Sequence, residues 1–219
     1  MTQNLSKKIY NFYHHHGIKI LILSGISRFW KKYVFPPKMV FFFNDMKNII
    51  REDKNEIIVK PYDSFSQLEI ELIDYIQNHG TIYNRSITNY SEFQNFCERY
   101  FGRGATFWLT FCGGKAVGYL WSLEYNQLNK FHFLPLIPSD TILMAHEVFP
   151  EFRGKNFNKI MTERVLSHLE KKEIKRVFVD VESTNVSSLR SFNKTSFKKM
   201  GTVRCRKFLG KYIVIWDIV

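Results

Sequence analysis

A short basic turn in the second half of the chain contains the residues best suited to binding a phosphorylated ligand. Arg153, Gly154 and Lys155 follow an apolar run that predicts a buried strand, and they precede an apolar-periodic segment that predicts a helix. The unbonded N–H groups at a helix start, together with the helix dipole, favour a bound anion. Two cationic side chains add positive charge at the same place. The turn therefore predicts a phosphate site, with a plain solvent-exposed basic turn as the alternative.

A second motif lies one predicted strand further along the chain. It places five residues at a recognisable spacing, namely Asn185, Ser188, Phe192, Lys194 and Phe197. Alone, this segment indicates only an amphipathic helix. The chain resembles the GNAT superfamily of N-acetyltransferases when this motif is combined with the first, Val148-x-Pro150-x-x-Arg153-Gly154-Lys155. The resemblance covers residues 100–219 through both motifs, and residues 39–100 in element order only.

The resemblance implies that the chain binds acetyl-coenzyme A (acetyl-CoA) as its acyl donor. In that family the basic turn holds the pyrophosphate through backbone amides, which here belong to Arg153, Gly154, Lys155, Asn156, Phe157 and Asn158. The preceding strand ends at Val148, whose backbone N–H is expected to face the thioester carbonyl. One donor of this kind is worth about 3 kcal/mol in the transition state. Asn185 is expected to reach the pantetheine arm or the end of the next strand, with Ser188 and Phe192 also beside the donor.

The sequence departs from the family pattern at three positions. Asn156 and Asn158 stand where the turn has two glycines. Asn adopts the left-handed backbone conformation more readily than most residues, so the turn is expected to survive. Phe192 stands where many members have a Tyr that protonates the departing thiolate. Ser191, Tyr212 and water are the candidate replacements, unless the thiolate leaves unprotonated.

The reaction that the resemblance implies also needs a general base for the attacking amine. Asp180 lies five residues before the Asn of the second motif, where some members have a carboxylate, and His146 and Glu147 lie on the strand that other members use. Strand alternation directs His146 and Val148 to one face and Glu147 to the other. The ordinary imidazole pKa of about 6.5 suits His146 to this role. Each of these side chains also has an ordinary structural interpretation, as a core histidine or a solvated acid.

The net charge of +12 is concentrated in two segments. Residues 1–38 contain seven Lys or Arg, residues 198–211 contain six, and neither segment contains Asp or Glu. Such patches suit an anionic partner. No nucleic-acid module is recognisable, so nucleic acid is not predicted as a partner. The predicted acceptor is a small-molecule amine, in particular a nucleotide-linked amino sugar of surface-polysaccharide synthesis, as the likeness to members with a basic N-terminal extension suggests.

Residues 1–38 are predicted to form a basic, amphipathic helical extension. Its apolar run, Ile18–Trp30, is too short to span a bilayer and contains Lys19 and Arg28. The extension is expected either to lie on a membrane surface or to pack on the body or on a partner subunit, which would give a homodimer. His14, His15 and His16 are adjacent, so their side chains diverge on a helix and no metal site is predicted.

The chain has three cysteines at wide spacing and no visible secretory signal, which predicts a reduced, cytoplasmic protein. If the extension binds lipid, the protein is expected at the inner face of the membrane. No CxxC motif is present, so no zinc site is predicted and no metal is expected.

Hydrophobic periodicity and element order predict an α/β (α+β) fold in residues 39–219. The resemblance implies that its mixed central sheet, flanked by helices, is GNAT-like. The predicted helices are Ser66–His79, Tyr90–Phe101, Asn156–Lys172 and Asn185–Lys194. The predicted strands are Met39–Phe43, Ile57–Lys60, Ala105–Cys112, Ala116–Tyr125, Thr141–Val148, Arg176–Val181, Gly201–Phe208 and Lys211–Ile218. Gly113 and Gly114 predict a tight hairpin between the third and fourth of these strands, and Asn89 is the predicted cap of the helix that starts at Tyr90. The functional prediction is an acetyl-CoA-dependent N-acetyltransferase. The alternatives are a long-chain N-acyltransferase at the membrane and a non-catalytic CoA-binding module.

Overall fold

The computed structural model describes residues 38–50, 56–79, 81–82, 85–86, 89–125, 134–208 and 211–218. The predicted N-terminal extension lies outside the described residues, apart from Lys38. The predictions made for its helix, its three histidines and its membrane or subunit contacts lie outside them as well. The division into an extension and one following domain therefore stays a prediction.

Residues 39–218 form an eight-stranded sheet with helices on both faces. The helices are α1 (Ile70–His79), α2 (Tyr90–Phe101), α3 (Phe157–Lys171) and α4 (Val186–Phe192). The strands of the sheet are β1 (Met39–Asn44), β2 (Ile57–Tyr62), β5 (Ala105–Cys112), β6 (Lys115–Glu124), β7 (Asp140–Val148), β8 (Arg176–Glu182), β9 (Lys198–Phe208) and β10 (Lys211–Ile218). Two short strands, β3 (Thr81–Ile82) and β4 (Arg85–Ser86), pair separately.

The sheet is mixed, with the order β10-β9-β1-β8-β7-β6-β5-β2. Every pairing is antiparallel except that of β7 with β8, which are joined through α3 as a parallel crossover. The predicted fold class is therefore confirmed. The first strand of the described residues, β1, lies in the middle of the sheet between β8 and β9, a position that no local pattern indicated.

Two hydrophobic cores cover opposite faces of the sheet. Alternate residues of β1 and β8 pack against α3 and α4, with Leu166 and Val179 almost fully buried, and we call this the α3–α4 core. The opposite residues of β5 and β6 pack against α1 and α2, with Phe107 and Ile76 fully buried, and we call this the α1–α2 core. Because successive side chains of a strand point to opposite faces of the sheet, the strands contribute apolar side chains to both cores.

The parallel pairing of β7 and β8 is short and ends abruptly. Only three residues of β7 pair with β8, from Asp140 to Ile142. Ala145 has a positive φ of 49°, and the register of β7 against β6 shifts around it, as in a β-bulge. The bulge reverses the side-chain alternation: Met144 packs on the α1–α2 core, whereas Val148 packs on the α3–α4 core. The two strands therefore separate toward their carboxyl ends.

A buried ion pair joins β7 and β8 where their pairing begins. The Nε and Nη2 atoms of Arg176 donate to the two carboxylate oxygens of Asp140 at 2.7 and 2.6 Å. The same carboxylate accepts the backbone N–H of Ile137 at 2.7 Å. Because Asp140 and Arg176 are also register partners, the pair stabilises the strands at the closed end of the separation.

A buried carboxylate on α3 holds the segment that follows α4. Glu163 accepts hydrogen bonds from the backbone N–H and the hydroxyl of Ser196, and from the backbone N–H of Ile50. Asn44, on β1, donates to the same hydroxyl at 2.8 Å. The end of α4 is thereby fixed relative to α3 and to β1.

Two local predictions are confirmed by the backbone. Gly113 and Gly114 both have positive φ and form the tight hairpin between β5 and β6. The side chain of Asn89 caps α2 by accepting the N–H of Glu92 at 2.8 Å.

The predicted start of the first helix, Ser66, is wrong. Phe65–Gln67 form a separate 3-10 turn, closed by the Gln67 side chain, which accepts the N–H of Asp63 at 2.7 Å. Leu68 is extended, so α1 begins only at Ile70. The predicted start of the next-to-last strand, Gly201, is also late, because β9 begins at Lys198 and continues past a bulge against β1.

Within the described residues, no helix is both long enough and apolar enough to cross a membrane.

Substitution of Asp140 by Ala is expected to lower the free energy of unfolding by about 2 kcal/mol, because Arg176 would lose both acceptors and Ile137 N–H would lose its partner. Glu124→Ala is the matched control, since its pair with Lys172 at 3.4 Å lies between exposed side chains and should be worth under about 0.5 kcal/mol. Urea denaturation at unchanged m-value measures both. Equal losses in the two variants would contradict a structural role for the buried pair.

Candidate active site

A groove of about 510 Å³ lies at the open end of the separation between β7 and β8. The end of β7, the basic turn before α3 and the polar face of α4 form its walls. Its lining residues are His146, Glu147, Val148, Phe152, Arg153, Gly154, Asn156, Phe157, Asn158, Asn185, Ser187, Ser188, Arg190, Ser191 and Lys194. The volume is that of a site for an organic ligand rather than a single ion. The fold thus brings the two sequence motifs to one place.

The turn before α3 has the conformation of an anion-binding turn. Gly154 has a φ of 78°, and Asn156 lies in the left-handed region with φ 63° and ψ 15°. Asn156 therefore takes the conformation that the sequence analysis expected it to tolerate. No side chain caps the start of α3. The first-turn N–H groups of α3 have no acceptor within the helix, so they are suited to an anionic ligand.

The two asparagines of the turn join α3 to α4. Asn158 donates through Nδ2 to the hydroxyl of Ser191 at 2.8 Å, and Asn156 Oδ1 accepts from Lys194 Nζ at 3.4 Å. The Oδ1 atom of Asn158 is buried and has no hydrogen-bond partner among the described residues. A buried polar atom of this kind costs about 1–3 kcal/mol, so a ligand donor in the groove would relieve it.

The two cationic side chains of the turn contact neighbouring protein groups. Arg153 donates through Nε to the carbonyl of Val148 at 3.0 Å and through Nη2 to Glu147 at 2.8 Å. Lys155 does not line the groove, and its Nζ lies 5.7 Å from the ring centroid of Phe152. In this arrangement the backbone of the turn, more than these two side chains, faces the ligand space.

His146 lines the groove and is held in a partly apolar setting. Its ring meets that of Phe192 edge-on at a centroid distance of 5.1 Å, and its buried Nε2 atom has no hydrogen-bond partner in the part of the chain that the structure describes. Burial lowers the pKa of His146 to about 4, although the nearby charge of Asp180 acts to raise it. The imidazole is therefore uncharged at neutral pH and retains a free lone pair.

Phe192 lies in the α3–α4 core and not in the groove, which corrects its prediction as a donor contact. Its side chain is 2% exposed and stacks on Phe42 at 5.5 Å. It also meets Phe197 edge-on. The apolar face of α4 must cover β1, so the residue at this position supports His146 from behind.

The other predicted acid–base residues are either paired with a neighbour or located outside the groove. Glu147 lines the groove but is engaged by Arg153. Asp180 does not line it and faces the opposite side of the sheet, in register with Phe41 of β1. Tyr212 lies on β10, four strand positions from β7, which corresponds to about 19 Å across a sheet. Of the candidate acids, the described groove therefore contains Ser191.

Three of the second-motif residues, Asn185, Ser188 and Lys194, line the groove together with residues that the motif does not contain. Asn185 caps α4 by accepting the N–H of Ser188 at 3.1 Å and the hydroxyl of Ser187 at 2.9 Å. Sequence reasoning missed Phe152, Ser187 and Arg190 as lining residues. A helical wheel over residues 186–194 would have placed Ser187, Arg190, Ser191 and Lys194 on one polar face.

The groove between the separating strands ends at the start of α3, and this arrangement is suited to a phosphorylated organic ligand. The sequence model of the acetyltransferase (GNAT) family matches residues 69–197, which is more than half of the chain. The chain belongs to this family. No curated protein matches the chain.

Solved structures show the same fold at low sequence identity. A GNAT-family acetyltransferase from Colwellia psychrerythraea superposes with a TM-score of 0.55 at 12% identity over 84% of this chain. A GCN5-related N-acetyltransferase from Sphaerobacter thermophilus superposes with a TM-score of 0.53 at 11% identity over 89% of this chain. This chain corresponds to 57% and 56% of the lengths of those two proteins. The likeness shows a shared fold.

His146 is expected to make the folded state less stable as the pH falls. Its folded pKa lies below the ordinary value of 6.5, so between pH 6.5 and about 4 the unfolded chain binds a proton that the folded chain excludes. From pH 7 to pH 4 the wild-type free energy of unfolding should fall by about 2 kcal/mol more than that of His146→Gln. Urea denaturation at each pH measures the difference. Parallel losses in the two proteins would show that this imidazole is not buried in its neutral form.

Substitutions at Asn156 are expected to separate backbone strain from side-chain loss. Asn156→Ala should destabilise the protein by about 1 kcal/mol relative to Asn156→Gly, because only glycine enters the left-handed region freely. Both variants lose the contact with Lys194, so their difference isolates the backbone. Thermal unfolding measures it, and equal melting temperatures would contradict the left-handed conformation.

Proposed function

We propose that the protein is an acetyl-CoA-dependent N-acetyltransferase that transfers acetyl to the amine of a small acceptor, by direct attack in a ternary complex. The observation that carries the proposal is the groove between β7 and β8, which ends on the uncapped start of α3. Family membership supports the same conclusion. The thioester of the donor would supply the activated acyl group.

The residues at the groove fit a phosphorylated donor. The backbone N–H groups from Gly154 to Asn158 would hold the pyrophosphate, with positive charge supplied by Arg190 on α4 and by Lys194 just after it. Val148 ends the strand edge that β8 leaves unpaired. Its carbonyl accepts from Arg153, so its N–H is the backbone group that would face the thioester. The unpartnered Oδ1 of Asn158 provides a buried acceptor for the ligand.

His146 is our assigned proton acceptor. It is uncharged at neutral pH, whereas the alternative base Glu147 is engaged by Arg153. The carboxylate of Asp180 favours the protonated imidazole electrostatically, so it would stabilise the charge that forms.

Ser191 is our assigned proton donor to the departing thiolate. Its Oγ already accepts a hydrogen bond from Asn158, which leaves its own proton available for donation. A thiolate is also a tolerable leaving group by itself, so we expect Ser191 to adjust the rate rather than to determine it.

For the acceptor we propose a nucleotide-linked amino sugar. Two segments free of Asp and Glu, residues 1–38 and residues 198–211, carry nearly all of the excess positive charge, which would attract the diphosphate of such a substrate. We place the reaction in the cytoplasm, where Cys97, Cys112 and Cys205, all free thiols, would stay reduced.

The second candidate is a long-chain N-acyltransferase at a membrane surface. The apolar run Ile18–Trp30 is the observation that favours it.

Thiol release from acyl-CoA donors of increasing chain length, with a panel of nucleotide-linked amino sugars and simple amines, tests the proposal. We expect acetyl to be preferred and an amino sugar to be the best acceptor; preference for long chains would instead support the second candidate.

Calorimetry with CoA provides a separate binding measurement, in which Lys194→Gln should weaken binding about fivefold. Lys171→Gln, at the far end of α3, should leave binding unchanged. Binding without turnover of any amine would indicate a non-catalytic module, and absence of binding would contradict the proposal.

A further inference from the structure

Half of one sheet face has no helix over it among the described residues. The register pair Ile142–Phe178 shows that the apolar side chains of β8 continue the face that α1 and α2 cover over β5 to β7. Beyond β7, this face passes across β8, β1, β9 and β10. Both α3 and α4 lie on the opposite face.

An apolar cluster occupies this half of the face, and we call it the outer-face cluster. Phe41 lies at its centre with 0% exposure, and its ring meets that of Trp216 edge-on at 5.1 Å. The other members are Phe178, Val203, Met39, Phe43, Leu134, Leu136, Met200 and Val214. Several of these side chains are only partly buried, so the cluster can accept a further apolar layer.

The chain enters the fold at the edge of this cluster. The carbonyl of Lys38 accepts the N–H of Ser183 at 2.8 Å, and Met39, the first residue of β1, belongs to the cluster itself. The 37 residues before Lys38 are therefore tethered beside it. The apolar run Ile18–Trp30 would be about 20 Å long as a helix, and residues 31–37 can extend about 23 Å, so the run can reach the whole cluster.

The charges of the two surfaces are complementary. Glu182 and Asp180 lie on the same face of β8 as Phe178, in register with Met39 and Phe41. Arg176 on this face is already paired with Asp140. Residues 1–37 contain six Lys or Arg and no acid. Lysines that flank the apolar run would therefore meet carboxylates at the edge of the cluster.

We propose that residues 18–30 of the same chain pack on the outer-face cluster, with flanking lysines against Glu182. Burial of its apolar side chains, each worth about 1.5–3 kcal/mol when fully covered, would hold it there.

Zero-length carbodiimide cross-linking of the full chain tests this placement. We expect links from Lys19, Lys31 or Lys32 to Glu182, and their loss in Glu182→Gln. Glu173, an exposed acid after α3 on the opposite side of the sheet, is the internal control and should form none. A mixture of ¹⁵N-labelled and unlabelled protein distinguishes links within one chain from links between copies. Links only between copies, or no link to Glu182, would overturn the proposal.

Limited proteolysis gives a second, independent measurement. Trypsin cleavage after Arg28 should be about tenfold faster in Trp216→Ala than in the wild type, because the docked segment must open before cleavage. Ile58→Ala, at an exposed apolar residue on the opposite edge strand β2, should leave the rate unchanged. Cleavage of the wild type as fast as that of the free 1–37 peptide would overturn the proposal.

Discussion

The short parallel pairing of β7 with β8 is the constraint on which the site depends. The Asp140–Arg176 pair holds the strands together at one end, and only three residues pair before they separate. The bulge at Ala145 turns the rest of β7 so that His146 and Val148 approach the α3–α4 side. If the pairing continued, β8 would fill the space that the groove occupies.

The groove concentrates polar groups that lack partners among the described residues. Asn158 Oδ1 and His146 Nε2 are buried with no hydrogen-bond partner there, and no described side chain caps the start of α3. Each such group costs about 1–3 kcal/mol, which the surrounding packing must offset. The Glu163–Ser196 hydrogen bonds and the fully packed Phe192 supply that support directly behind the groove. The packed residues around the groove therefore hold in place polar groups to which a bound ligand would hydrogen-bond.

Local chemistry explains which predictions were confirmed. The glycine hairpin, the Asn89 cap and the left-handed Asn156 depend on a few neighbouring residues, so their patterns were sufficient. The start of α1 was missed because apolar periodicity continued through a turn that the Gln67 side chain closes. Phe192 was expected beside the donor from its motif position, yet a motif does not show where a side chain points. Packing of its ring against Phe42 of β1 places it in the α3–α4 core.

The sequence by itself determined the fold class, the family and the two segments that form the site, because hydrophobic periods and turn residues act over short distances. Only the tertiary structure decided that β1 enters the middle of the sheet, that Asp180 faces away from the groove, and that Arg153 turns back to Glu147. These outcomes depend on strand pairings between residues far apart in the chain, where many registers satisfy the same alternation. The choice among them is made by the combined burial of the whole sheet.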